Sequence, residues 1–121
     1  MCWLVAVGPG GYYLAQRPPR GIWGGLWGFP EFADSSAALE YARARFEGVG
    51  AAQVAGVVEH SFTHFDLSIT PVIVPVAAAG RVQEGAALWY NPRSPVALGL
   101  AAPVSGLIRG LAADAASPVT T

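Results

Sequence analysis

The chain has 121 residues, an apolar fraction of 53% and a formal net charge of −1. This length gives one domain that buries roughly two-thirds of its unfolded surface, and the composition excludes disorder over most of the chain. The cationic side chains are all arginine and do not outnumber the acidic ones. A protein that holds DNA on its own usually has a clear basic excess. Any binding to DNA should therefore depend on a second, more basic partner.

No segment is predicted to span a membrane or to direct secretion. The apolar residues 72–79 and 96–108 contain prolines or glycines and are shorter than the about 20 residues of a spanning helix. Residues 1–7 lack the basic flank and cleavage pattern of a signal peptide. The single cysteine, Cys2, cannot form an internal disulfide, which fits a reducing cytoplasm, and is too few for a cysteine-rich metal site.

The first elements in chain order are predicted to be a hairpin and a long loop. Residues 2–7 form a buried strand, residues 8–11 a glycine-rich turn and residues 12–17 the partner strand. The glycines match a phosphate-binding loop only weakly, because the chain continues as strand rather than helix. Residues 17–32 contain four bulky aromatic side chains, Trp23 among them, that cannot all lie in solvent. We therefore expect this segment to fold back onto the core and to be structural.

The next element is predicted to be an amphipathic helix that ends at Gly48 and Gly50. Its candidate N-caps are Asp34, Ser35 and Ser36, its inward stripe is Leu39, Ala42 and Phe46, and its outward stripe is Glu40, Arg43 and Glu47. A nucleotide-diphosphate hydrolase needs clustered carboxylates to hold Mg²⁺ against phosphates. The two glutamates lie about 10 Å apart along the helix axis with an arginine between them. This spacing indicates a solvated ion-pair face.

The second half of the chain is predicted to contain three strands and a helix. The strands are a buried one at 52–58, a long one from Phe65 towards Val76 and a short one at 86–90. Pro71 and Pro75 suggest that the long strand is an edge or carries a bulge. Pro103 can open a helix whose stripe is Val104, Leu107, Ile108 and Leu111, after which residues 112–121 should fray. This order predicts a mixed sheet with helices packed on it.

The segment H-S-F-T-H-F-D-L, residues 60–67, does not follow a simple burial pattern. Alternation from Phe65 onwards predicts a half-buried strand, and the same parity places Thr63 on the core side and Phe62 and His64 in solvent. Either a bulge or loop resets the register, or these two side chains face a partner with a flat apolar surface and hydrogen-bonding edges.

Two catalytic interpretations of this segment are weak. His60 and His64 would lie about 13 Å apart in an extended chain, too far to chelate one zinc ion. Ser61, a histidine and Asp66 supply the residue types of a catalytic triad, but no serine lies at a strand-to-helix elbow. We predict no catalytic residue and no metal site.

Three separated motifs resemble those of the MutY-type adenine DNA glycosylases, in the same order and spacing. They are G-I-W-G-G-L-W-G-F-P-E-F at 21–32, H-S-F-T-H-F-D-L at 60–67 and L-W-Y-N-P…G-L-A-A-P-V at 88–104. Together they resemble the C-terminal domain of that family, over nearly the whole chain to about Leu111.

The resemblance implies an α+β Nudix-like fold, an α/β/α sandwich in which a mixed β-sheet lies between helices, over residues 1–111. In the family this domain recognises 8-oxoguanine opposite adenine in double-stranded DNA. A separate N-terminal domain excises the adenine and holds a 4Fe–4S cluster, which one cysteine cannot hold here. We therefore expect a non-catalytic, monomeric domain without a cofactor, which works with that catalytic domain in the cytoplasm, at the nucleoid. The alternatives are a Nudix-type nucleotide hydrolase and a protein-interaction domain.

The resemblance also implies which residues contact DNA. The family's recognition loop is a phenylalanine, a small hydroxyl residue and a histidine, which correspond to Phe62, Thr63 and His64. Thr63 would approach the modified edge of the lesion, with the other two placing the loop against the duplex. Threonine replaces the usual serine, which keeps the hydroxyl but adds a methyl group and stiffens the side chain. Arg17 and Arg20 are candidate phosphate contacts.

Overall fold

A computed structural model describes residues 1–77, 87–95 and 97–116, and the side chains of these residues up to 111. This part of the chain forms one mixed β-sheet with a helix on each face. The elements are β1 (Cys2–Gly8), β2 (Gly11–Gln16), β3 (Trp27–Gly28), β4 (Glu31–Phe32), α1 (Ser35–Arg45), β5 (Gln53–Val54), β6 (Val58–Ser61), β7 (Asp66–Pro75), β8 (Ala87–Tyr90) and α2 (Ala102–Ala116). The predicted fold class is confirmed.

Strand β1 lies at the centre of the sheet, between β2 and the parallel strand β7. Successive side chains of a strand point to opposite faces, so a central strand with both faces covered is apolar throughout. Leu4 accordingly packs in the cluster under α1, and its neighbours Trp3 and Val5 pack in the cluster under α2. The predicted buried strand at 2–7 is confirmed.

The glycine-rich turn between β1 and β2 is a hairpin turn, as predicted. Gly8 pairs with Gly11 across the hairpin, and β8 adds to the other edge of β2. Gly11 has a φ of 112°, and a Cβ built there would lie 2.1 Å from the Tyr90 carbonyl oxygen. The position therefore requires glycine for two reasons, its backbone conformation and the close approach of β8.

The aromatic segment at 17–32 folds back onto the core, which confirms its predicted packing; Phe32 packs on the α1 face and the other three aromatic side chains pack on the α2 face. Phe29 is buried there, and Trp23 and Trp27 pack partly buried against the same cluster. Its two short strands add to the sheet: β3 pairs with β2, and β4 pairs with β1.

Helix α1 begins where the sequence predicts and ends earlier. The Asp34 carboxylate accepts a hydrogen bond from the Ala37 N–H at 2.9 Å and so caps the helix. The backbone becomes extended at Phe46, and the ring of this residue is buried in the core. The helix therefore ends before Gly48, and the prediction that Glu47 continues its outward face is wrong.

Replacing Asp34 by alanine should lower the free energy of unfolding by about 1 kcal/mol, because the Ala37 N–H loses its acceptor. Urea titration followed by circular dichroism measures the change. Ser36→Ala is the matched control, since this exposed side chain makes no capping bond in the described structure. An equal loss in the two variants would contradict the assigned cap.

The predicted buried strand at 52–58 is wrong. Gln53 and Val54 form a two-residue strand at the end of the sheet, Val58 is the first residue of β6, and Val54 and Val57 are 61% and 56% exposed. The edge interpretation of the long strand is also wrong, because β7 is paired on both sides. Its Pro71 lies between the last residue paired with β6 and the first paired with β5, where no partner needs its missing N–H.

Helix α2 carries the predicted stripe, with Val104 and Ile108 buried and Pro103 in its first turn. The helix continues to Ala116, so it includes the first part of the segment predicted to fray. Residues 117–121 lie outside the described part of the chain, and their fraying stays a prediction. No helix of the described residues is long and apolar enough to cross a membrane.

Candidate nucleic-acid interface

The predicted recognition residues lie in a tight turn that joins β6 to β7. Ser61 pairs with Asp66, and between them the Phe62 N–H donates to the Phe65 carbonyl at 2.7 Å. Thr63 and His64 form the tip of this 62–65 turn, and both are exposed. A short hairpin turn thus presents a hydroxyl and an imidazole side by side.

This turn decides between the two explanations of the unusual burial pattern. Because β6 ends at Ser61 and β7 begins at Asp66, strand parity does not run through the segment. The inward placement of Phe65 and Thr63 is therefore wrong: Phe65 is 46% exposed, and Thr63 lies at the exposed tip. A loop resets the register. Phe62 is half-buried rather than exposed.

Phe62 is half-buried because it belongs to an aromatic cluster beside the turn. The cluster consists of Trp23, His60, Phe62 and Phe65. The Phe62 ring stacks on Phe65 at a centroid distance of 4.7 Å and meets His60 edge-on at 4.7 Å and Trp23 at 5.4 Å. Such contacts fix one ring at three sides, so the base of the turn is anchored while its tip stays open.

Trp23 connects this cluster to the core. Its ring lies 5.5 Å from His60 and 6.5 Å from the buried Trp3. The sequence predicts a structural role for Trp23, and its packing agrees with that. The contact with the recognition turn was not predicted, because no spacing pattern relates two loops so far apart in the chain.

The two candidate phosphate-binding arginines differ in their surroundings. Arg17 forms an ion pair with Glu31, and its Nε donates to the Ile22 carbonyl at 2.8 Å. Its charge is thus already matched within the domain. Arg20 is exposed on the same loop. A phosphate contact by either residue stays a prediction.

The charges next to the turn are acidic. Glu59 and Asp66 flank it and are exposed, whereas residues 59–66 contain no arginine. The negative carboxylates of Glu59 and Asp66 repel phosphate. The turn alone therefore offers shape and hydrogen-bonding groups but little electrostatic attraction to DNA. A groove of about 440 Å³ runs beside it between β6 and α2, with His60 on one wall and Pro103 on the other.

A protein-family model described as NUDIX domain matches residues 1–110. The chain belongs to the NUDIX domain family. Two curated relatives have the printed name adenine DNA glycosylase and come from Buchnera aphidicola, subspecies Acyrthosiphon pisum (strain APS) and Baizongia pistaciae (strain Bp). Each is 25% identical to this NUDIX domain, over 80% and 79% of the chain and 28% of the relative. The chain thus spans about a quarter of these relatives.

Solved structures show the same fold. The C-terminal domain of mouse MUTYH, solved in complex with human PCNA, has a TM-score of 0.67 and 21% identity, covering 94% of this chain and 87% of that one. A Nudix hydrolase from M. smegmatis, RenU, has a TM-score of 0.63 and 22% identity, covering 97% and 86%. Together with the family match and the two relatives, the first of these confirms the resemblance to a MutY-type C-terminal NUDIX domain.

Hydrolases of this fold family use Mg²⁺, and the carboxylates that the structure describes in this NUDIX domain do not fit that ion. A magnesium site needs several oxygen ligands that converge. Glu40 is exposed on α1 and Glu47 lies beyond the end of the helix. Among the residues whose side chains are described, no three acidic, histidine or cysteine side chains come together as a metal site.

Proposed function

We propose that this domain recognises 8-oxoguanine opposite adenine in duplex DNA, as the non-catalytic C-terminal domain of an adenine DNA glycosylase. The single observation that carries the proposal is the turn geometry, which exposes Thr63 and His64 at a tip whose base Phe62 anchors. An anchored turn with an exposed polar tip can place its side chains against one edge of a nucleobase in a defined geometry.

Discrimination follows from the chemistry of the two bases. Guanine N7 is a hydrogen-bond acceptor, whereas 8-oxoguanine carries a hydrogen on N7 and an additional carbonyl oxygen at C8. The Thr63 hydroxyl can accept a hydrogen bond from the N7–H or donate one to the new carbonyl. With guanine the hydroxyl can only donate to N7, because there is no N7–H to accept from and no C8 carbonyl to bond. One contact of this kind supplies about 1–3 kcal/mol of discrimination.

His64 and Phe62 act on either side of this hydroxyl. The exposed imidazole of His64 offers a donor to a phosphate or to a base edge. Phe62 contributes through its half-buried ring, which holds the turn. On this proposal the domain binds no cofactor and cleaves no bond. Excision of adenine, and the 4Fe–4S cluster, belong to a catalytic domain of the parent protein, acting on DNA in a bacterial cytoplasm.

The chain on its own should bind duplex DNA weakly, with a Kd on the order of 10⁻⁴ M or higher at physiological salt, because the turn has acidic neighbours and the net charge is −1. Fluorescence anisotropy of short duplexes measures the affinity. A duplex with 8-oxoguanine opposite adenine should bind more tightly than an undamaged one. Sub-micromolar binding would contradict the expected dependence on a partner domain, and equal binding of both duplexes would contradict lesion recognition.

Protein interaction is the second candidate, and one observation favours it. Phe65 is 46% exposed at the foot of the turn, and the mouse MUTYH domain was solved with another protein. Replacement of Thr63 by valine separates the two functions. It should remove the lesion preference if the turn reads DNA, whereas a protein partner that docks on the Phe65 ring should bind the variant as before.

A further inference from the structure

Trp23 has a backbone conformation that its residue type disfavours. Its φ is 54°, and it is the one non-glycine residue with a positive φ in the described part of the chain. A bulky side chain rarely adopts this region and does so only where the surroundings enforce it. The four positive-φ glycines of the same part include Gly21 and Gly25, on either side of Trp23.

The surroundings that enforce this conformation are a set of bonds within the loop. The Leu26 N–H donates to the Trp23 carbonyl at 3.0 Å, and the Gly24 N–H donates to the Gly21 carbonyl at 3.2 Å. Arg17 holds the Ile22 carbonyl and lies over the Trp23 ring at 6.0 Å. These contacts hold the Trp23 backbone and its indole in one orientation.

The indole is aimed at the recognition turn. It contacts Phe62, the first residue of the turn, and His60, the strand residue two positions before it. The indole also packs against the buried Trp3, with ring centroids 6.5 Å apart, and this contact limits its movement towards the core. The turn itself is closed by a single backbone hydrogen bond, from Phe62 to Phe65. The orientation of the turn therefore depends on what the Phe62 ring packs against.

We infer that Trp23 is a positioning residue for the 62–65 turn: it fixes Phe62 and thereby the direction in which Thr63 and His64 face. The inference rests on the proposed function for its consequence in DNA recognition. It assigns to the tryptophan loop a role that packing of the core alone would not require, since Trp27 in the same segment packs on the same face without a ring contact to Phe62 in the described structure.

Trp27→Ala is therefore the matched control for Trp23→Ala, because each removes one partly buried indole from one segment. The first test needs no ligand. Hydrogen exchange of the Phe62 amide, measured by NMR relative to the Val5 amide in the pairing of β1 with β7, reports opening of the turn against unfolding of the core. Relative exchange should rise about tenfold in Trp23→Ala and stay within about twofold in Trp27→Ala, and Trp23→Phe should restore most of the protection. Equal rises in the two alanine variants, or none in Trp23→Ala, would overturn the inference.

The second test adds 8-oxoguanine·adenine and undamaged duplexes. Trp23→Ala should lower the ratio of the two affinities about tenfold, with Trp23→Phe and Trp27→Ala near the unmodified chain. A retained ratio in Trp23→Ala would overturn the inference and leave the proposed function standing. A loosened turn in Trp23→Ala, with no lesion preference in the unmodified chain, would support the positioning role and overturn the proposed function.

Discussion

Replacing Thr63 by valine should remove most of the preference for 8-oxoguanine, lowering the affinity ratio of lesion to undamaged duplex by about tenfold or more. Valine keeps the shape and β-branching of threonine and lacks only the hydroxyl. Because Thr63 is exposed at the tip of the turn, the substitution should not change stability by more than about 0.5 kcal/mol. Titration of both duplexes, with a thermal melt of each variant, measures the two quantities.

Thr63→Ser provides the matched control, since it keeps the hydroxyl and removes the methyl group. It should retain the preference. If serine raises the ratio above that of threonine, the additional methyl group limits the approach to the base. If valine and serine lower it equally, shape rather than hydrogen bonding reads the lesion, and the role assigned to the hydroxyl is wrong.

Replacing Gly11 by alanine should cost about 3 kcal/mol or more of folding free energy. The added Cβ would lie 2.1 Å from the Tyr90 carbonyl oxygen, which is backbone and cannot rotate away. The positive φ of 112° adds conformational strain. Relief would require β8 to separate from β2, with loss of ladder hydrogen bonds. Urea unfolding of the variant measures the loss.

Gly21→Ala separates the two contributions. Gly21 also has a positive φ, 91°, but a Cβ there meets nothing within 4 Å. Its substitution should cost about 1 kcal/mol from backbone strain alone. Equal losses at the two positions would show that β8 moves away from Gly11 without cost, contrary to the pairing in the structure.

The elements that the sequence predicts correctly are those whose apolar pattern is uninterrupted. The apolar run of β1 has both faces covered, and the stripe of α2 repeats with the helical spacing over two turns. In both cases burial and local structure require the same residues. The three dispersed motifs also identify the family, because their order and spacing are fixed by the fold.

The failures occur where composition and burial diverge. Val54 and Val57 are apolar but lie at the open end of the sheet, so their type falsely predicts a core strand. Periodicity failed at the 62–65 turn because the alternation on its two sides belongs to two different strands. The early end of α1 was missed because the sequence does not show that Phe46 leaves the helix to fill the core.

The candidate site was predictable only in part. The segment containing Phe62, Thr63 and His64 is recognisable from its unusual pattern and its motif, but the contact of Trp23 with Phe62 is not. Such a contact depends on how two loops cross, and the positive φ that directs the indole leaves no sequence signal beyond the flanking glycines. Fold and function also separate here, since a hydrolase shares this fold while the carboxylates among the described side chains do not come together as a metal site.

The most direct measurement is an NMR titration of the isotope-labelled chain with two short duplexes, one with 8-oxoguanine opposite adenine and one undamaged. The account predicts that shifts specific to the lesion duplex are centred on Phe62, Thr63 and His64, and extend to Trp23. Lesion-specific shifts elsewhere on the domain, with the turn unchanged, would contradict recognition by this turn.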